Sequence, residues 1–475
     1  MKNFLKIALV IATMGFVLVL CEKVLLLKSE DGIEQIEALY LQENNTIDVL
    51  FLGSSHIYCD VNTGVLWDEY GIAGFDLGGA EQPYWNSYYY LKEALKTQKP
   101  KVIVMDITTP GIRAVDFQPE NWVVCNNYGM HWNKNRIDAL RASTLDQSFA
   151  RLLFPLNTIH SRYDELKRED FTDTNQTIFY KGFDPRETVT PFETPDISHV
   201  TEMTPVSEKA EKYLRMIIEL AQQEEIPLLM VSAPYVVTED SQKLYNYVFD
   251  IAEETGIPYL DFNKKYEEIG LDFQTDMAED LHLNESGNQK FTKYLGKCIL
   301  DNYEIPDRRG DAKYNSWAAA AIVERQEEAK VELLGTTDMK DYLSKLFNQN
   351  YIVYLSFGEG IDDPAFNEEL KTELKEIGVE EENFVNGEAV IVNHGTSLFA
   401  SDKDEFRAFI EEGEDRLLYF RELNEYGERI TGLYFNEDKY DVKNTGINII
   451  VYDTQLKQIV DHVNFNIENE FVLVR

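Results

Sequence analysis

Val49-Leu50-Phe51-Leu52-Gly53-Ser54-Ser55-His56 is an apolar run that ends on a glycine, two serines and a histidine. Four consecutive apolar residues without alternation read as a strand buried on both faces. The theme repeats outward from there. Ala73-Gly74-Phe75-Asp76-Leu77 is a second short strand, and Val102-Ile103-Val104-Met105 a third that ends at Asp106. Pro227-Leu228-Leu229-Met230-Val231 and Ile257-Pro258-Tyr259-Leu260-Asp261 are the fourth and fifth. Helical stretches separate them. Residues 84–97 close before Pro100, and residues 207–223 carry Ala210, Leu214, Ile217 and Ala221 at helical spacing. Residues 244–255 form a further helix. A last one begins near Glu285 and buries Phe291, Leu295, Cys298 and Ile299. Strands alternating with helices of this length imply right-handed crossovers. The expected fold is α/β, a three-layer α/β/α sandwich around a five-stranded parallel sheet. Sites in such sheets lie at the carboxyl ends of the strands.

The rest of the chain is organised around that core. Lys2 and Lys6 precede an apolar run from Ile7 to Cys21, which Val24 to Leu27 resume. No small-residue cleavage site follows, so residues 1–28 are expected to be a membrane signal anchor. The leading lysines would stay cytoplasmic and the bulk of the chain would lie outside. Residues 31–42 read as a polar linker helix. The catalytic domain is placed at 45–305, with an aromatic-rich insertion at about 111–204 expected to elaborate substrate binding. Beyond Asp307-Arg308-Arg309-Gly310-Asp311, residues 306–338 are a helical connector and residues 339–475 an accessory α+β domain. Its strands are expected at 352–356, 389–392, 446–452 and 471–474.

Lys+Arg 45 against Asp+Glu 84 leaves a net charge of −39, which argues against nucleic-acid binding. Cys21, Cys59, Cys125 and Cys298 form no CxxC pair and no metal-ligand spacing. A Cys59–Cys125 disulfide and buried free thiols are both open. No cofactor and no metal are expected.

Two segments carry chemistry. Gly53-Ser54-Ser55-His56, at the end of the first strand, allows a tight strand-to-helix turn that lifts the Ser55 hydroxyl above the sheet. Asp280-Leu281-His282-Leu283-Asn284 stands before the last helix. A serine needs a base to lose its proton, and a histidine titrates near working pH. Residues two apart on an extended segment point the same way, so Asp280 can orient His282. His56 is expected to bind substrate or order its loop. His160 and Arg162 either bring a cation to the site or form a structural pair. Tyr235, after the fourth strand, can line the pocket. Trp85, Tyr88, Tyr89 and Tyr90 read as core packing ahead of sugar stacking.

Taken together, the two segments resemble the first and last blocks of the SGNH/GDSL hydrolase superfamily. The Gly53-Ser54-Ser55 block and the Asp280-Leu281-His282 block are similar to those of alginate O-acetyltransferases and of D-alanyl transfer proteins of lipoteichoic acid biosynthesis. The resemblance covers about residues 45–303 and implies Ser55 as nucleophile, His282 as base and Asp280 as its orienting acid. It also implies an oxyanion hole from the Ser55 N–H and from Gly79, in Phe75-Asp76-Leu77-Gly78-Gly79. The third block normally supplies an Asn, where this chain has Asp106-Ile107-Thr108-Thr109-Pro110. Gln82 or Thr108 would have to replace it.

The function so implied is an extracytoplasmic serine esterase or O-acyltransferase on an acylated envelope polysaccharide or teichoic acid. The C-terminal domain would meet an envelope protein partner. The alternative is a non-catalytic carbohydrate-binding or scaffold protein on the same fold. A metallohydrolase using His56, Asp106 and His282 is weaker, because no ligand pair has a recognised spacing.

Overall fold

A computed structural model of the chain describes residues 2–27, 31–112, 116–171, 180–186, 188–364, 366–413, 415–436, 438–466 and 472–475. Met1 and Lys28 of the expected anchor, residues 113–115, 172–179 and 187 of the insertion, and Phe471 of the last expected strand lie outside the described residues.

The expected α/β sandwich is the fold observed. Strands β1 (Val49–Gly53), β2 (Gly74–Gly78), β3 (Val102–Asp106), β4 (Leu228–Ser232) and β5 (Tyr259–Asp261) form one sheet in the order β2-β1-β3-β4-β5. Every pairing in it is parallel. The strand alternation explains the three layers. Leu50, Leu52, Ile103, Met105, Leu228 and Met230 face one core, which also holds Tyr90, Leu214 and Val248 from the helices Tyr84–Ala94, Glu208–Gln223 and Glu239–Thr255. Val49, Phe51, Val102, Val104, Leu229 and Val231 face the other, with Leu66, Phe291 and Leu295. Continuous apolar runs were therefore the correct strand signal, since both faces are covered.

Helix starts follow local capping chemistry. Ser207, Thr238 and Asn284 each accept a backbone N–H at the first turn of the helix that follows. The helix expected from residue 244 begins at Glu239, because Thr238 caps it five residues earlier. Trp85, Tyr89 and Tyr90 are buried, in keeping with core packing. Cys59 and Cys125 are buried and not joined in a disulfide, and Cys298 is half-buried.

Helix α1 (Lys2–Leu25) contains the segment Phe4–Leu25, 22 residues with mean hydropathy 2.5, which is long and apolar enough to cross a membrane. Helix α2 (Ile33–Leu41) stands where the linker helix was expected, but it is not a polar spacer: Ile33, Ile36, Ala38 and Leu39 are buried.

The chain divides into two compact units, Met1–Ala321 and Ile322–Arg475, with the division inside the helix Asn315–Gly335. Trp317 of that helix is buried in the first unit, its Nε1 donating to the Gly74 carbonyl at 2.9 Å, and Leu333 is buried in the second. Among the described residues the second unit holds ten strands. Tyr351–Phe357, Ala389–Asn393, Thr396–Ser401, Ile447–Asp453, Gln458–Asn466 and Val472–Val474 form a six-stranded antiparallel sheet. Phe406–Glu412, Asp415–Leu423, Arg429–Phe435 and Asp438–Asp441 form a four-stranded one.

Candidate active site

The site is built on the carboxyl rim of the parallel sheet. β1 ends at Gly53 and the chain turns through Ser54 into the single-turn helix α3 (Ser55–Tyr58). Only glycine fits at position 53: a Cβ there would stand 2.8 Å from Asp106 Cβ and 2.9 Å from Ile57 Cγ1. Its register partner Gly78 is equally confined, with a Cβ 2.8 Å from the Ser54 carbonyl oxygen. The strand ends therefore close up behind the turn, and Ser55 is left half-buried at its crest.

His282 is carried on a tight hairpin. Asn284 N–H donates to the Asp276 carbonyl at 3.0 Å, Met277 bridges Leu283, and Ala278 N–H donates to the His282 carbonyl at 2.9 Å. Asp60, just beyond α3, accepts the Leu283 N–H at 2.9 Å and ties the hairpin to the element that carries Ser55. The imidazole Nε2 of His282 then lies 2.7 Å from Ser55 Oγ. Its Nδ1 is hydrogen-bonded to Oε1 of Glu279. A carboxylate at Nδ1 keeps the ring proton there, so Nε2 is the acceptor of the Ser55 hydroxyl. The hydrogen bond from the imidazole, with the nearby Arg186 guanidinium, holds the Glu279 carboxyl below its usual value.

This corrects the expected acid. An extended segment would set Asp280 beside His282. The chain instead reverses between Ala278 and His282, and residues three apart meet across the turn. Glu279 takes the ring, and the Asp280 side chain is exposed.

A second polar network lies beneath. Thr108 Oγ1 donates to Asp106 Oδ2 and, having spent its only hydrogen, accepts from His56 Nδ1 at 3.2 Å. Ser54 Oγ also reaches Asp106, at 3.4 Å. Burial pushes the Asp106 carboxyl up to about 6, against the pull of these donors. Burial also drives the His56 ring well below its ordinary value, with the neighbouring His282 adding to the effect. The two imidazole centroids are 5.3 Å apart. His56 is fully buried, so of its two expected roles it can order the loop but cannot touch substrate.

Other expected residues are placed as follows. Tyr235 is buried, edge-on to His56 at 5.0 Å, with its hydroxyl 2.7 Å from that of Tyr245; it forms the floor and not the wall. Gln82 is buried and donates from Nε2 to Ser87 Oγ at 3.0 Å, in the first turn of the helix Tyr84–Ala94. Thr108 is committed to Asp106. Ser55 opens α3 and Gly79 follows β2 directly, so both backbone N–H groups lie on this carboxyl rim. His160 is exposed and bonded to the Leu156 carbonyl, and Arg162 donates to the Leu25 carbonyl and to Asp170. Arg162 thus holds the end of α1, and the polar groups of neither residue contact Ser55 or His282. The cation the sequence did not reveal is Arg186, paired with Asp184 and Asp31 and close enough to act on Glu279. No group of three or more His, Cys, Asp or Glu side chains that could hold a metal occurs among the described residues.

No family model and no curated protein matches the chain. Among solved structures, a lipolytic protein of the G-D-S-L family from Desulfitobacterium hafniense is similar at 12% identity. The match covers 53% of this chain and 99% of that one, with a TM-score of 0.29. A gut microbial diltiazem-metabolizing enzyme is similar at 11% identity, over 81% of this chain and 59% of that one, with a TM-score of 0.21. Neither likeness says what this chain does.

Proposed function

We propose that the chain is a membrane-tethered serine esterase or O-acyltransferase, working through an acyl group carried on Ser55. One observation supports this above all: His282 Nε2 stands 2.7 Å from Ser55 Oγ while Glu279 occupies the other ring nitrogen. That is the nucleophile, base and orienting acid in the order the chemistry needs.

Ser55 Oγ attacks the carbonyl of an ester, and His282 takes the hydroxyl proton as the bond forms. Glu279 steadies the resulting imidazolium. The tetrahedral oxygen collects its negative charge beside the N–H groups of Ser55 and Gly79. His282 returns the proton to the leaving alcohol, and the acyl group remains on Ser55. Water then gives an esterase, and a sugar or polyol hydroxyl gives a transferase. The resemblance of the Gly53-Ser54-Ser55 block favours an acylated envelope polysaccharide or teichoic acid as substrate, with the bulk of the chain outside the membrane.

The test uses the full chain in detergent or nanodiscs, with a fluorophosphonate probe and nitrophenyl acetate. Ser55→Ala and His282→Ala are each expected to abolish labelling and to lower turnover by at least about 10³-fold. Equal labelling and turnover in all three proteins would put the non-catalytic scaffold reading first. The Asp106-Ile107-Thr108 stretch, which lacks the Asn of the resembled third block and whose Thr108 Oγ1 donates to Asp106, is the observation that favours it.

A further inference from the structure

Helix α1 does not leave the first unit as a loose tether. Its side chains are exposed from Phe4 to Cys21, and then the last turn is gripped. Glu22 accepts from Arg136 Nη2 at 2.8 Å, with both side chains largely buried, and from Trp132 Nε1 at 3.3 Å. Arg162 Nη1 donates to the Leu25 carbonyl at 2.8 Å, and its Nη2 holds Asp170 at 2.8 Å. Leu26 is buried with Ile33, Tyr128 and Ile159. The gripping residues other than Ile33 and Tyr128 all come from residues 130–171 of the insertion.

Length fixes the depth of this grip. Twenty-two helical residues span about 33 Å at 1.5 Å each, close to the ~30 Å of a hydrocarbon core. When Phe4–Leu25 crosses a bilayer, Glu22 and Leu25 stand at the level of the headgroups. Side chains that reach them stand there too. The same segment exposes Trp132, Phe154, Tyr163 and Phe171, the last three at 60–70% of their surface. Aromatic side chains of this kind concentrate at membrane–water interfaces, where the ring meets acyl chain and the polar edge meets water. Charge agrees. Residues 130–171 hold seven Lys/Arg against six Asp/Glu, in a chain whose net charge is −39. The segment thus lacks the acidic excess that anionic headgroups would repel.

We propose that residues 130–171 lie in the headgroup layer on the side where α1 ends, seating the first unit directly on lipid. The occupant of the exposed aromatic surface is phospholipid, not a second protein.

Depth measurement tests this on the full chain. A Cys21→Ser, Cys298→Ser background leaves only the buried Cys59 and Cys125. Single cysteines at Phe154, Tyr163, Met14 and Phe249 would carry a nitroxide in vesicles of mixed zwitterionic and anionic phospholipid. Collision with oxygen, which enters lipid, is compared with collision with a water-soluble nickel chelate. The ratio at Met14 should be that of hydrocarbon, and at Phe154 and Tyr163 several-fold above that at Phe249, a partly exposed residue of the helix Glu239–Thr255. Ratios at 154 and 163 equal to that at 249 would overturn the proposal. So would labels shielded from both reagents, which would mean protein contact, or a Met14 label in water, which would mean that α1 does not insert. All of these readings are independent of turnover, so failure of the Ser55 chemistry leaves them unchanged.

Discussion

At Nδ1 of His282 the choice between two adjacent carboxylates decides which would orient the ring in the proposed chemistry, and it can be tested by paired amides. Glu279→Gln keeps the shape of the side chain but removes its charge and disturbs the tautomer, and is expected to lower kcat by about 10²-fold. The loss stays short of that for a buried acid because Glu279 is about half exposed. Asp280→Asn should leave kcat within about two-fold. The reverse pattern would restore Asp280 to the role its spacing suggested. Asp106 offers a second test at this scale. Its carboxyl, pushed up to about 6 by burial, still holds its proton in the folded protein after an unfolded chain has released it near pH 4. The folded state therefore loses stability as pH rises from about 4 to 6, by up to about 3 kcal/mol, and then levels off. Relative to the parent, Asp106→Asn should gain that amount across this window in urea denaturation. A difference that stays constant with pH would mean that the carboxyl titrates normally. The meeting of Ser55 and His282, at 2.7 Å, was readable because each belongs to a short block with its own residue pattern. Glu279 and Asp60 were not. One depends on a reversal between Ala278 and His282, and the other acts through a single backbone N–H far along the chain.

Among the elements, the hairpin that carries His282 depends on α3 through Asp60. The Asp60 carboxylate is fully buried, and burial raises its pKa well above the usual range. Its contact with the Leu283 N–H needs only an acceptor oxygen. Asp60→Asn should therefore retain kcat within a few-fold, whereas Asp60→Leu should lower kcat with little change in KM. Comparable activity in the Leu variant would show that the hairpin holds its place without this bond. The parallel strands were readable element by element, because burial on both faces leaves unbroken apolar runs. The second unit was only partly so. Thr396–Ser401 and Phe406–Glu412 alternate between exposed and half-buried positions, and their Lys, Arg, Asp and Glu neighbours hide the period of two. Strands of that kind are stabilised by pairing across the sheet, which a single stretch of sequence does not display.

The whole molecule is two compact units on one chain, and they should respond separately to damage. Leu355 is fully buried in the second unit, and Leu355→Ala should destabilise that unit by about 2–5 kcal/mol. Differential scanning calorimetry should show one transition moving down while the other, and turnover at Ser55, stay put. Concerted movement of both would mean that the units fold as one. The net charge of −39 is a property of this scale too: it kept nucleic acids out of consideration, yet it gave no hint that residues 130–171 are locally balanced. The hold of Arg136 and Arg162 on the last turn of α1 has a kinetic consequence. With the unit unable to swivel about its helix, Ser55 would travel at a fixed height as the molecule diffuses laterally. Esters borne on molecules confined to the same bilayer would be met by a search in two dimensions. Dissolved esters would have to arrive from bulk, and their encounter rate would follow their concentration in solution alone.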